Sequence, residues 1–126
     1  MGAFGAVNAA LHHLGEYGAV MSWSGYFVSN TPSVNGSRGS TSWRDASPLY
    51  ALKSYLGRLR AMPLRISLYN TPNDTYASET VAFARLLSSD GLPRRYALYK
   101  GPHDYVLWRA QFASQLEWLS SGMHCS

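Results

Sequence analysis

Apolar positions along the chain alternate between two periods, and that alternation sets out its elements. Residues 2–14 place Phe4, Val7, Leu11 and Leu14 on one side at steps of three and four, which predicts a helix. The small residues between them (Gly2, Ala3, Gly5, Ala6, Ala9 and Ala10) suit a helix pressed against a sheet, and Gly15 suits its C-terminal cap. His12 and His13 then fall in the last turn, where the helix dipole favours them; as adjacent residues they point to different sides, which argues against a shared metal. The mostly apolar run 17–24, with glycines at 18 and 25, predicts a buried parallel strand.

From 28 to 47 the chain turns to Ser, Asn, Gly, Thr and Pro, which predicts a long surface loop, either covering a site or a plain excursion. Pro48 to Arg60 returns to helical spacing through Leu49, Leu52 and Leu59, and 64–69 alternates as a strand does. A polar stretch, Asn70-Thr71-Pro72-Asn73-Asp74-Thr75, leads to a helix over 78–90 with Ser78 as N-cap and Gly91 past its end. A strand over 95–99 and an amphipathic helix over 105–119 close the series. Strands alternating with helices predict an α/β fold with a mostly parallel sheet, here of only three strands with two open edges.

Composition narrows the picture. A hydrophobic fraction of 46% with 13% aromatic residues suffices for one packed core in 126 residues. The net charge is +4, but the arginines are scattered from Arg38 to Arg109, so nucleic-acid binding finds no basic block to rest on. Cys125 is the single cysteine and permits no internal disulfide. No apolar run approaches the roughly 20 residues of a membrane span, and Met1-Gly2-Ala3-Phe4 has no charged leader of the kind that opens a signal peptide. Nothing points to a metal or an organic cofactor.

In open parallel sheets, reactive groups gather beyond the carboxyl ends of the strands. Asp74 follows the strand at 64–69 and His103 follows the strand at 95–99, so two successive strands offer an acid and a base on one rim. A carboxylate that accepts the Nδ1 proton of a histidine fixes its tautomer and stabilises the imidazolium. Acid before histidine, both late in the chain, matches the second half of a serine-hydrolase triad. Each residue alone also fits a humbler role, Asp74 in an Asx-turn or cap and His103 in a βα turn.

The opening Met1-Gly2-Ala3-Phe4-Gly5-Ala6-Val7-Asn8-Ala9-Ala10-Leu11 resembles the segment after the nucleophile in the esterase D and mycolyltransferase-like branch of the α/β-hydrolases, where the elbow reads G-x-S-M-G-G-x-G-A. Val20-Met21-Ser22-Trp23-Ser24-Gly25-Tyr26-Phe27 is similar to that family's next strand, and Gly101-Pro102-His103-Asp104 with Leu107-Trp108-Arg109 to its G-G-H-x-W-x-x-W-R region. The resemblance covers nearly the whole chain. It departs at Pro102, where a second glycine is usual, and at Tyr105, where a tryptophan is common.

This resemblance implies residues 1–126 to be part of an α/β-hydrolase domain: the C-terminal part of a three-layer parallel-sheet fold. It implies His103 as base and Asp74 as acid. The family's serine would fall immediately before Met1, and no G-x-S-x-G occurs in these residues. Ser22 and Ser24 belong to a strand and Ser37 and Ser40 to a polar loop, so none stands at an elbow. The expectation is an esterase or acyltransferase portion beginning just after its nucleophile, inactive alone, with the Met1 amide as one oxyanion donor.

An acyl ester is the implied substrate of the intact protein, and export is common among such relatives. Tyr26, Phe27, Trp43 and Tyr105 are candidates for an aromatic substrate wall, though ordinary packing accounts for each equally well. A different class stays open: a non-enzymatic α/β protein that binds or self-associates through its exposed sheet edges. A flavodoxin-like nucleotide binder is weaker, because no strand precedes the opening glycines.

Overall fold

A computed structural model describes residues 2–28 and 46–123. Its elements are α1 (Gly2–His12), β1 (Ala19–Trp23), α2 (Pro48–Ala61), β2 (Arg65–Asn70), α3 (Ala77–Ser89), β3 (Arg94–Leu98) and α4 (Tyr105–Ser120). The expected elements are present, with ends shifted by one or two residues. Met1, Trp43 and most of the 28–47 loop lie outside the described residues.

The three strands form one parallel sheet in the order β1-β2-β3. Ala19 to Trp23 pair with Arg65 to Tyr69, and Ile66 to Asn70 pair with Arg94 to Leu98. The middle strand shows why the sheet carries two unlike layers. Ile66 and Leu68 join Val7, Leu11, Val20, Leu52, Leu59, Phe83 and Leu87 in one buried cluster under α1, α2 and α3. Arg65, Ser67 and Tyr69, the alternate positions, turn to the opposite face, as a period of two requires. There Ser67 and Arg65 hydrogen-bond to α4. The result is three layers, helices on both sides of a parallel sheet.

The helix ends follow local chemistry. At the close of α3, Leu92 N–H reaches the Leu87 carbonyl and Gly91 N–H the Ser88 carbonyl, with Gly91 at φ +68°. This is the paired bond pattern of a Schellman cap, with Leu92 buried beside it. Asp104 caps α4: its Oδ1 accepts the Leu107 N–H at 2.9 Å. Ser78, expected to cap α3, sits inside the first turn, and Tyr76 holds the cap position.

Two expectations about packing are corrected. Gly2 and Gly5 in α1 face open space and Ala6 and Ala9 are exposed, so those small residues do not serve close approach to the sheet. Val7, Ala10 and Leu11 make that contact. In α4 the buried positions are Gln115 and Leu119, while Val106, Phe112 and Leu116 are exposed. The expected apolar stripe is not what holds α4, because the sheet face beneath it is polar and aromatic.

Polar fastenings hold it instead. Gln115 Oε1 accepts from Ser67 Oγ at 2.8 Å and from Trp23 Nε1 at 3.1 Å. The Arg65 guanidinium lies 4.2 Å from the Trp118 ring centre, within cation–π range, and donates to the Trp118 carbonyl at 2.6 Å.

Candidate functional site

The site is built where β2 and β3 end. Asn70, the last residue of β2, is fully buried, and its amide donates to Thr80 Oγ1 at 2.9 Å. Thr80 in turn donates to the Gly25 carbonyl at 3.1 Å, tying the ends of β1 and β2 to α3. Beyond Asn70 the chain turns through Thr71–Asp74, where Asp74 N–H meets the Thr71 carbonyl at 3.1 Å. The Asp74 carboxylate is divided between two duties: Oδ1 accepts the Tyr76 N–H at 2.9 Å, and Oδ2 lies 2.6 Å from His103 Nδ1. The turn role and the role of partner to histidine are therefore both present in one side chain.

His103 is placed by a tight βα connection. Gly101 has φ +147°, and a Cβ there would stand 2.8 Å from Leu107 Cδ2, so glycine alone suits the position. Trp108, one turn into α4, sets its ring edge-on to the imidazole at a centroid distance of 5.0 Å. The Asp74 side chain is 5% exposed and that of His103 54%, so a shielded carboxylate holds a ring that solvent can reach.

Burial pushes the Asp74 carboxyl up, but the Tyr76 N–H, the His103 ring and the nearby Ser24 hydroxyl outweigh it. The carboxyl therefore titrates below its ordinary range. An ionised carboxylate only accepts, so the bond assigns the proton to Nδ1 and leaves Nε2 as the free base nitrogen. Among the described residues the ring bonds to Asp74 alone.

The remaining candidates separate. Tyr26 is half-buried, stacked on Phe4 at 4.8 Å and tilted against Tyr76 at 5.2 Å, which brings it beside the turn that carries the acid. Phe27, by contrast, is fully buried and stacked on Phe83 at 4.5 Å. It is a core residue and has no face left for a substrate. Tyr105 is 70% exposed and borders an open hollow with Trp23, Arg109 and Phe112.

Ser22 is buried within β1, and Ser24 ends that strand with φ +51°. Neither stands at a strand-to-helix elbow. Among the described residues no group of three or more His, Cys, Asp or Glu is placed to hold a metal, and no helix is long and apolar enough to cross a membrane.

Sequence reasoning missed two contributors, Gln115 and Glu79. Glu79 Oε2 accepts the Phe27 and Val28 N–H groups at 2.7 and 3.0 Å, pinning the segment that leaves β1. A glutamate in the first turn of a helix reads locally as a dipole partner, so only the fold reveals what it holds.

Helices on both sides of a parallel sheet, with polar side chains gathered beyond the carboxyl ends of its strands, are the layout of an open α/β fold. The chain belongs to the family described as "Putative esterase", which it matches over residues 1–119. Its fold is similar to that of a ferulic acid esterase, with a TM-score of 0.70 and 20% identity over 96% of this chain and 48% of the other. It is also similar to the apoenzyme of an S-formylglutathione hydrolase from Staphylococcus aureus, at TM-score 0.69 and 19% identity, covering 94% and 47% of the two chains. The chain thus spans about half the length of these solved structures. No curated protein matches it at significance.

Proposed function

We propose that this chain carries the acid and the base of a Ser-His-Asp triad in a serine esterase or acyltransferase, with the nucleophile supplied from outside these residues. The observation that carries this reading is the 2.6 Å bond from His103 Nδ1 to the shielded Asp74 carboxylate. In the intact enzyme, His103 Nε2 takes the proton of the serine hydroxyl as it attacks an acyl ester, and returns it to the departing alcohol. Asp74 holds the tautomer and stabilises the imidazolium between those steps. The Met1 amide, outside the described residues, is one oxyanion donor, and Tyr26, beside Tyr76, and the exposed Tyr105 are the candidate aromatic contacts for the substrate. Alone, the 126 residues have little or no triad turnover, because histidine and acid without a nucleophile retain only weak general-base activity.

The test is hydrolysis of a p-nitrophenyl acyl ester by the chain as it stands and by a form extended with the coding segment directly upstream. Activity is expected only in the extended form. His103→Ala in that form should lower kcat about a thousandfold or more with the fold intact. Wild-type rates in that variant would remove His103 from the mechanism.

The exposed Val106, Phe112 and Leu116 favour a second reading, a non-enzymatic protein that binds or self-associates. Concentration-dependent size without ester turnover in either form would select it.

A further inference from the structure

The outer edge of β3 carries a row of backbone groups that no strand takes up. Ile66 N–H reaches the Pro93 carbonyl at 3.2 Å, and Tyr99 N–H reaches the Asn70 carbonyl at 3.0 Å. In a parallel ladder the backbone groups of alternate residues point to one side. Arg95 and Ala97 therefore face β2, while Arg94, Tyr96 and Leu98 turn their N–H and C=O groups outward. β3 ends the sheet order, and no strand among the described residues pairs with that side. The side chains of Arg94 and Tyr96 stand beside Ile66 and Leu68, on the face covered by α3. An open hollow of about 590 Å³ lies there, lined from the strand by Arg94, Tyr96 and Leu98 and from the helix by Val81, Arg85 and Ser88.

The charge in this hollow has one sign. Arg65 and Arg95, on the other face of the sheet, are engaged by the α4 carbonyls of Trp118 and Ser114. Arg85 and Arg94 have no such engagement: neither has an ion-pair partner among the described residues, and no carboxylate lines the hollow. Arg94 Nε is buried without a hydrogen-bond partner. An unpaired buried N–H costs stability, which an incoming acceptor recovers. Because α3 runs back along the sheet before β3 begins, Ser88 falls towards Arg94 and Val81 towards Leu98. The groove is thus basic at one end and apolar at the other.

We infer that this edge docks an extended acidic peptide segment of a partner protein, which adds to β3 as a further strand. Its carboxylate sits on Arg85 and Arg94, and its apolar side chains lie against Val81 and Leu98. A strand presents every second side chain to one face, so the segment reads acidic-x-apolar-x-apolar in one direction along the edge. A second copy of β3 suits the groove less well, since Arg-Arg-Tyr-Ala-Leu brings further arginines and no acid. A small anion satisfies the arginines but leaves the outward backbone row and the apolar end unused.

The test is fluorescence anisotropy of the 126-residue chain with a labelled, end-blocked heptapeptide, Thr-Glu-Thr-Val-Thr-Ile-Thr, and with its reversed sequence. One of the two should bind, and amide exchange at Tyr96 and Leu98 should slow as it does. Changing the peptide Glu to Lys should weaken binding about tenfold or more, and so should Arg94→Gln. Arg85 is exposed on α3, so Arg85→Glu should leave the fold unchanged and turn the preference towards the Lys peptide. Failure of both peptides to bind, equal affinity for the Glu and Lys forms, or unchanged exchange at those amides would overturn the inference. Displacement by sodium phosphate, but not by sodium chloride of the same ionic strength, would make this a small-anion site and end it. So would a chain that dimerises through β3 and binds no peptide. None of these readouts uses ester turnover, so the triad reading stands or falls separately.

Discussion

Gln115 offers a direct test of how the third layer is attached. Replacing it with leucine keeps the side-chain volume nearly constant and removes the oxygen that accepts from Ser67 Oγ and Trp23 Nε1. Ser67 is 1% exposed, so its hydroxyl is left without an acceptor and out of reach of water. Orphaning such a group costs about 1–3 kcal/mol. The indole N–H of the half-buried Trp23 adds about 0.5–1 kcal/mol. Extra apolar burial by leucine offsets about 1 kcal/mol. The net loss is about 0.5–3 kcal/mol, which for a domain of this size lowers Tm by roughly 3–5 °C per kcal/mol.

Ser67→Ala is the partner experiment. With both groups of the Ser67–Gln115 pair apolar, the double variant should be destabilised by less than the sum of the singles, with a coupling of about 1 kcal/mol. The assay is urea unfolding followed by tryptophan fluorescence and circular dichroism. A Gln115→Leu variant within about 0.5 kcal/mol of wild type, or strictly additive singles, would refute the claim that hydrogen bonds fasten α4.

Two further outcomes are expected. Asp104→Ala should cost about 1 kcal/mol by uncapping α4, and Asp104→Asn should restore most of it; equal losses in both would deny the capping role. Acid stability should depend on Asp74. Its native titration is depressed below the ordinary 3.8, so its contribution is complete well above that value and is lost as pH falls through the lower native one. The stability gap between wild type and Asp74→Asn should therefore shrink on acidification, and a gap that ignores pH would contradict the sign.

Elements whose cause is local could be read from the chain. The 3.6- and 2-residue periods mark the four helices and three strands found among the described residues, because burial on one face requires them, and strand-end loops point to Asp74 and His103. Cause at a distance stayed hidden. Phe27 reads like Tyr26 in a one-dimensional pattern, and only its stacking on Phe83, far along the chain, makes it core. Gln115 sits among apolar residues in α4, and the donors it serves lie 48 and 92 residues away. The left-handed turn at Ser24 carries no signature, since serine is not a residue chosen for positive φ.

The Asp74–His103 bond joins residues only 29 apart, at the two strand ends of one crossover unit, β2–α3–β3. A single loop closure of modest length therefore brings the two side chains together. The sequence that joins β1 to α2 lies outside that unit, and both partners of the bond come from elsewhere. Lengthening or shortening that stretch should therefore leave the two ends of the Asp74–His103 bond where they are.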